Sequence, residues 1–370
     1  MSDNYKPGLE GVIAGDTAVA CVDQGVLLYR GYPIEQLAEK ATFEECAYLL
    51  LNDDLPNATE LATFKKELDS FRALPKQVVD ALRLIPNNVP MMDVLRSMVS
   101  MTGHFDPVSD PADNKRRAIW LTAQIAGIIA ARYRLLNGQE PIAAIPGLSH
   151  AAQILYQAQG TEPDALSAKL LDLTLMLYAE HEFNASTFTA RVICSTMSDL
   201  VSAIVGAIGA LKGPLHGGAN EAAMDMLKQF KSGEEAKAWI KDALANKKKV
   251  MGFGHRVYKN GDHRAQILEV ELRKLAASKN QQVWMDIYDA IKEPMVNEKH
   301  IFPNVDYPCG LTYYLLGLPL DLYTPLFVAA RITGWSAHFI EQAANNRIYR
   351  PLSKYVGPAL RSVTPISVRA

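Results

Sequence analysis

Hydrophobic and polar positions along the chain alternate mainly with the period of an α-helix. Apolar residues recur at positions i, i+3, i+4 and i+7 between Pro, Gly or Asn residues, which puts them on one helix face. This pattern predicts helices over residues 43–51, 58–72, 90–101, 115–136 and 166–180. Only residues 17–29 have the β-branched composition of strands, on either side of an Asp-Gln-Gly turn signal. Because no regular alternation of strand and helix follows, the sequence predicts an all-α protein with a minor N-terminal β segment.

Residues 187–212 are mostly small or apolar and predict a single long helix that ends before the Gly-Pro pair at 213–214. Gly206 and Gly209 near its end would let another backbone approach closely. That neighbour could be a second helix of the same core or the same helix of a second subunit. The pattern leaves both alternatives open.

A shift in composition indicates a smaller domain inserted in a larger one. Charged amphipathic helices predominate from residue 219 to about residue 280. After residue 310 the chain becomes apolar again, and the Thr-Pro pair at 324–325 predicts the N-cap and first residue of a helix that continues to residue 344. We therefore predict a large helical domain of residues 1–217 and 318–370 and a small domain of residues 218–317.

The 370 residues include 38 basic and 40 acidic side chains, a net charge of −2. A chain so nearly balanced has no overall field to hold a nucleic acid, so an anionic ligand would need a local cluster of cations. The apolar stretches are shorter than a membrane span requires, and the N-terminus carries charges where a signal peptide is apolar. Four scattered cysteines argue against a disulfide framework or a zinc site. These features predict a soluble cytoplasmic protein without nucleic-acid or membrane partners.

Four breaks between predicted helices hold residue types used in acid–base chemistry. His181 lies in a polar interruption, His216 and His255 lie beside glycines, and Asp306 stands at a predicted helix start. Taken singly, each has a structural alternative, such as a capped helix junction, a hinge or an N-cap. Cys309 is more typical of an inert core thiol than of a nucleophile. Together, one carboxylate and two loop imidazoles suit general acid–base catalysis on a carbon acid, with no metal implied.

Five separated motifs resemble signatures of the citrate synthase family, and they occur in the family's order: LYAEHEFNASTFTAR, GPLHGGANE, GFGHRVYK, NVDYPCG and RPLSKYVGP. The resemblance covers nearly the whole chain. It implies an almost entirely α-helical fold with a large and a small domain, and an enzyme of the tricarboxylic acid cycle. It also implies a homodimer whose interface uses the long predicted helix, with higher oligomers left open.

The resemblance also implies a role for each site residue. Asp306 would be the base that removes a methyl proton from acetyl-CoA, and His216 would donate a hydrogen bond to the enol or enolate oxygen. His255 would polarise and protonate the ketone of oxaloacetate, which gives citryl-CoA and, after hydrolysis, citrate and CoA. No cofactor is expected, since the CoA thioester is a substrate. The residues expected to hold oxaloacetate are His181, Arg264, Arg331 and Arg350 of the partner subunit.

On the CoA side, residues 250–255 resemble the loop whose backbone meets the adenine, with Val250, Gly252 and Gly254 as the expected contacts. Lys259 is expected near a phosphate. The family usually has Asp-Pro-Arg where this chain has Asp-His-Arg at 262–264, so the helix start there is expected to be looser, and the histidine to face solvent. The family pattern begins almost at the N-terminus, so no NADH-regulatory domain is expected.

Two alternatives to citrate synthase activity stay open. A 2-methylcitrate synthase shares the fold and the catalytic positions but uses propionyl-CoA. The forms of the GPLHGGANE and GFGHRVYK motifs favour acetyl-CoA, although one methylene changes binding by only about 1–3 kcal/mol. A non-catalytic assembly protein on the same fold is disfavoured by the intact set His216, His255 and Asp306. For Asp306, a helix N-terminus lowers the pKa whereas burial raises it, and the sequence does not decide between them.

Overall fold

The computed structural model describes residues 6–23, 25–255 and 257–369. Gln24 of the predicted turn and Arg256 of the GFGHRVYK motif lie outside these ranges. The described residues form sixteen α-helices, which confirms the predicted all-α fold. The helices are α1 Ile34–Lys40, α2 Phe43–Asn52, α3 Ala58–Ser70, α4 Lys76–Leu84, α5 Met91–Thr102, α6 Asn114–Leu136, α7 His150–Gln159, α8 Ala165–Tyr178, α9 Ala185–Ser195, α10 Leu200–Leu211, α11 Ala219–Leu227, α12 Gly233–Ala245, α13 His263–Ser278, α14 Gln282–Asn297, α15 Asp306–Leu315 and α16 Tyr323–Ala344.

The predicted β segment is a small antiparallel sheet of three strands, β1 Ala20–Asp23, β2 Val26–Tyr29 and β3 Tyr32–Pro33, in that order. The third strand was not predicted, because two residues carry no alternation to detect. Strand β2 buries every second side chain, and its last residue, Tyr29, is fully buried. The Tyr29 hydroxyl lies 3.1 Å from the carbonyl oxygens of both Met176 and Glu180. The sheet therefore holds the end of α8, where the polar motif containing His181 begins.

Helix α16 lies in the core and packs against α2, α6, α8, α9 and α10. It is buried along most of its length, including the largest fully buried side chain, Trp335. The predicted start at the Thr-Pro pair is wrong, because the helix begins at Tyr323 and has no side-chain cap. The Thr324 hydroxyl instead lies 3.3 Å from the carbonyl oxygen of Gly217 and also contacts Glu221. These contacts fasten the start of α16 to the loop that carries His216.

The single long helix predicted for residues 187–212 is wrong, since the chain forms two helices, α9 and α10. Met197 in the connection adopts a positive φ of 67°, and Asp199 caps α10 by accepting a hydrogen bond from the Ser202 backbone at 2.9 Å. The two helices pack on each other so closely that a Cβ on Gly206 would lie 2.2 Å from Ile193. Gly209, by contrast, has no heavy atom within 4 Å of such a Cβ. One glycine therefore serves packing within the chain, and the other lies on an open face.

Helices α11 to α15 contact one another extensively, mainly through α12 with α14, α11 with α15 and α13 with α15. The division into domains at 217/218 and 317/318 stays a prediction. Among the described helices, none combines the length and the apolar character needed to cross a bilayer.

Candidate active site

A cavity of about 920 Å³ lies between the N-terminal segment of residues 8–17, the end of α8, and the starts of α13 and α15. Side chains of α16 complete its wall. Residues that are far apart in the sequence meet here. The cavity is lined by six of the predicted catalytic and oxaloacetate-binding residues, His181, His216, His255, Arg264, Asp306 and Arg331.

His216 lies in the segment after α10, and its ring contacts the first turn of α9. The backbone N–H of Ser186 donates to Nε2 at 3.2 Å, and the Ser186 hydroxyl lies 2.8 Å from the same nitrogen. Because a backbone N–H can only donate, Nε2 accepts and the ring proton lies on Nδ1. Burial, with a smaller contribution from Arg331, lowers the pKa of His216 to about 4. At neutral pH this histidine is therefore an uncharged hydrogen-bond donor.

His255 has the opposite tautomer. Its Nδ1 accepts from the backbone N–H groups of Val257 at 3.1 Å and Tyr258 at 3.3 Å, so the proton lies on Nε2. Burial and then the Arg264 charge lower its pKa to about 4. The His181 ring lies 5.2 Å from that of His255, and its Nε2 lies 3.0 Å from the Tyr258 hydroxyl. Burial is also the main cause that lowers the pKa of His181 well below its usual value.

The loop that carries His255 is held against the segment before α15. Gly254 donates to the Phe302 carbonyl at 2.9 Å, and Asn304 donates to the Gly252 carbonyl at 3.0 Å. Gly252 adopts a φ of 81°, and a Cβ there would lie 2.8 Å from Tyr307, so only glycine fits. These contacts fix the His255 loop relative to Asp306.

Only one of the four residues predicted to bind CoA lines the cavity. Gly254 does so, whereas Val250 and Gly252 are buried outside its wall. Lys259 is exposed, and its Nζ donates to the His255 carbonyl at 3.2 Å. The part of the loop near Val250 therefore does not line the cavity of the described chain.

Asp306 is the first residue of α15, as predicted, and Pro308 lies in the first turn. Its Oδ1 accepts a hydrogen bond of 2.5 Å from the Tyr178 hydroxyl. Burial raises the pKa of Asp306, whereas the Tyr178 hydrogen bond and the nearby arginines oppose the shift. Desolvation therefore outweighs the hydrogen bond and the two arginine charges. Cys309, one turn later, is fully buried, and burial raises the pKa of its thiol, as expected for a core residue.

The two arginines of the cavity differ in their partners. Arg264 forms a bidentate pair with Asp262, with Nε–Oδ1 and Nη2–Oδ2 distances of 3.0 and 2.9 Å. Asp262 also caps α13, so the helix start is well held without the family's proline, and His263 contacts Glu35 of α1 rather than facing solvent freely. Arg331 donates from Nε to the Tyr178 carbonyl at 2.6 Å, but its Nη1 is buried and has no hydrogen-bond partner among the described residues. An unpaired buried guanidinium nitrogen suits the binding of a carboxylate.

A family model described as citrate synthase, C-terminal domain, matches residues 8–352. The chain belongs to the citrate synthase family. It is therefore a condensing enzyme that acts on an acyl-CoA. The 2-methylcitrate synthase 1 of Corynebacterium glutamicum is 44% identical, with the alignment covering 100% of both chains. Citrate synthase 2 of Bacillus subtilis is 41% identical over 98% of this chain and 99% of that protein.

Solved structures of the family share the fold. The citrate synthase of Thermotoga maritima has a TM-score of 0.87 at 39% identity, with full coverage of both chains. The citrate synthase of Thermoplasma acidophilum, solved as a ternary complex with carboxymethyl coenzyme A and oxaloacetate, has a TM-score of 0.91 at 34% identity. That comparison covers 98% of this chain and 99% of the other.

In this member of the citrate synthase family, Arg350 lies in the exposed segment after α16 and does not line the cavity of its own chain. Its contribution from the partner subunit stays a prediction. Other residues of the cavity wall were not predicted. Tyr178 stands at the end of the helix before His181, where a motif-based search could have included it. The N-terminal wall of residues 8–17 has no such signal, because the segment consists mostly of glycine and apolar residues.

Proposed function

We propose that this enzyme condenses oxaloacetate with acetyl-CoA and hydrolyses the resulting citryl-CoA to citrate and CoA. The observation that carries the proposal is the buried Asp306 carboxylate with its raised pKa, in one cavity with two histidines that are uncharged donors at neutral pH. A raised pKa makes the carboxylate a stronger base, and neutral imidazoles can stabilise oxyanions without an extra charge.

The opposite tautomers of the histidines suit the two halves of the reaction. Asp306 takes a proton from the methyl carbon of acetyl-CoA, while Nδ1–H of His216 donates to the thioester oxygen that gains charge. The enol carbon then attacks the ketone carbon of oxaloacetate, whose oxygen takes a proton from Nε2–H of His255. Water finally cleaves the thioester and releases CoA.

Oxaloacetate would lie against His181, Arg264 and Arg331, with Arg350 from the partner subunit. The Nη1 donor of Arg331, which has no partner among the described residues, supports this assignment most directly. CoA would follow the loop with Val250, Gly252 and Gly254, with Lys259 near a phosphate, although only Gly254 reaches the cavity wall.

We also propose that the enzyme works as a homodimer. Residues 346–369 lie almost wholly exposed after α16. Their large apolar side chains are more than half exposed; these are Ile348, Leu352, Tyr355, Val356, Leu360, Val363, Ile366 and Val368. Such a segment, which also holds Arg350, suits contact with a second copy. Light scattering at several concentrations tests this, and a monomer at micromolar concentration would contradict it.

A second candidate function is 2-methylcitrate synthesis from propionyl-CoA. It is supported by the relatives, since proteins named for either activity are 41–44% identical to this chain. A comparison of kcat/KM for acetyl-CoA and propionyl-CoA decides between them. A preference for propionyl-CoA would replace the first proposal with the second.

The base is tested by Asp306→Ala, for which we expect loss of CoA thiol release from acetyl-CoA and oxaloacetate with an unchanged circular dichroism spectrum. The matched control is Asp286→Ala, the same change at an exposed residue of α14. Unchanged turnover in Asp306→Ala would refute the role of this carboxylate.

A further inference from the structure

A buried carboxylate that was not among the predicted site residues lies directly beside them. Glu180 precedes His181, is fully buried, and its Oε1 lies 2.9 Å from Nε2 of His338. On the other side of the His338 ring, Nη1 of Arg191 lies 3.0 Å from Nδ1. Because arginine only donates, Nδ1 accepts, and Nε2 donates its proton to Glu180. The position of the Glu180 carboxylate is thus fixed by a histidine that is itself held in place.

The second oxygen of Glu180 accepts no hydrogen bond within the described part of the chain. Oε2 is buried without a partner among the described residues, and it lies against α16 at Gly334, where an added Cβ would be 2.2 Å away. Arg331 stands one turn earlier on the same helix, and its Nη1 is likewise buried without a partner in the described chain. Burial lowers the pKa of Arg331, and the Glu180 carboxylate opposes that shift. Two buried opposite charges, neither fully hydrogen-bonded by the described residues, therefore meet α16 within one turn of each other.

We propose that Glu180 is a positioning residue that sets the affinity for oxaloacetate, because it is the built-in counter-charge of Arg331 until a substrate carboxylate takes over that role. This inference rests on the proposed function. A buried cation needs a nearby negative charge, and Asp262 provides one for Arg264 through two hydrogen bonds. Glu180 provides one for Arg331 without a hydrogen bond to Nη1, which stays buried and without a partner among the described residues. The same carboxylate repels a dianion, so Glu180 favours the stability of the protein at some cost in affinity.

The test is Glu180→Gln, which removes the charge but keeps a carbonyl oxygen to accept from His338. Without substrate, the melting temperature should fall, because Arg331 loses its counter-charge. Oxaloacetate alone should then bind roughly three- to tenfold more tightly than to the wild type, by titration calorimetry. Oxaloacetate should also raise the melting temperature of Glu180→Gln by more than it raises that of the wild type.

The matched control is Glu341→Gln, which removes another carboxylate of the same group of charges. Glu341 pairs with Arg191 at 2.6 Å and accepts from the Ala18 backbone. This variant should melt at a lower temperature, yet its affinity for oxaloacetate should equal that of the wild type. A purely structural role for Glu180 would give that same pattern, so an unchanged or weaker affinity in Glu180→Gln overturns the inference.

A wild type that neither binds oxaloacetate nor releases CoA would count against the proposed function instead. If Glu180→Gln does not fold, the double variant Glu180→Gln/Arg331→Gln tests the charge pair in another way. Removing both charges should restore folding, because neither is then left buried alone. A double variant that stays unfolded would overturn the inference.

Discussion

The short hydrogen bond from the Tyr178 hydroxyl to Asp306 allows a direct test of the proposed base. Tyr178→Phe removes only the hydroxyl, because the phenyl ring can keep its packing on Phe327, whose ring centroid lies 4.4 Å away. The hydroxyl stabilises the ionised form of Asp306 and so opposes the rise in its pKa that burial causes. Its loss must therefore raise that pKa further.

The size of the shift follows from the strength of the bond. A hydrogen bond to a charged group contributes about 1.5–3 kcal/mol, and one pKa unit corresponds to about 1.4 kcal/mol. The pKa of Asp306 should thus rise by about 1–2 units. Since the base must be ionised, the acid limb of kcat/KM against pH should move upward by the same amount. At pH values above the new limb, the rate should be at least as high as in the wild type, because the base is stronger.

The assay is CoA thiol release measured between pH 5 and 9 for the wild type and Tyr178→Phe. The control is Tyr323→Phe, which removes a buried hydroxyl that has no partner among the described residues and does not contact Asp306. The control should leave the acid limb where it is. A limb that stays in place or moves downward in Tyr178→Phe would refute the reasoning. If the acid limb instead reported the ionisation of His216 or His255, whose pKa values are about 4, Tyr178→Phe would leave the limb unchanged.

Two further predictions concern stability and assembly. Burial and the neighbouring Glu44 raise the pKa of Asp172 to about 7 in the folded protein, from 3.8, so the stability it contributes is present below pH 4 and is lost as the pH rises through 7. Asp172→Asn should therefore reduce the fall in unfolding free energy between pH 5 and 8, by at most about 3 kcal/mol in urea titrations; an unchanged or steeper fall would contradict this. Arg350→Ala and Asp306→Ala should each be inactive alone, whereas mixed dimers should regain activity, because one of the two sites then holds both residues. No recovery despite proven subunit exchange would count against a shared site.

The parts of the fold that could be predicted are those specified by local patterns. The 3.6-residue period is strong over α6, so its ends were predicted to within a residue. The break between α9 and α10 was missed because it depends on a four-residue connection with Asp199 as cap, inside a run that is otherwise small and apolar. Conversely, Asp306 was predicted to start a helix, since the proline in its first turn marks that position.

The same limit applies to the candidate site, where only residues marked by a local sequence pattern could be predicted. His216, His255 and Asp306 could be selected because each is an unusual residue at a helix break, and the resemblance then supplied their roles. The pair of Glu180 and His338 joins positions 158 residues apart, and neither residue departs from an ordinary local pattern. Contacts of this kind depend on how α8 docks on α16, which no short motif specifies.

The charges in the cavity give a physical reason to expect a contribution from a second subunit in a protein of net charge −2. Within one chain, Arg264 is neutralised by Asp262, Glu180 lies beside Arg331, and the pKa values of His216 and His255 leave both uncharged at pH 7. A single chain therefore presents donors to oxaloacetate but little net positive charge. The second carboxylate of a dianion then needs a cation from elsewhere, and Arg350 of the partner subunit is the one that the family resemblance supplies. It follows that dilution into monomers should raise the KM for oxaloacetate before it affects the ionisation of Asp306, whose surroundings lie within its own chain.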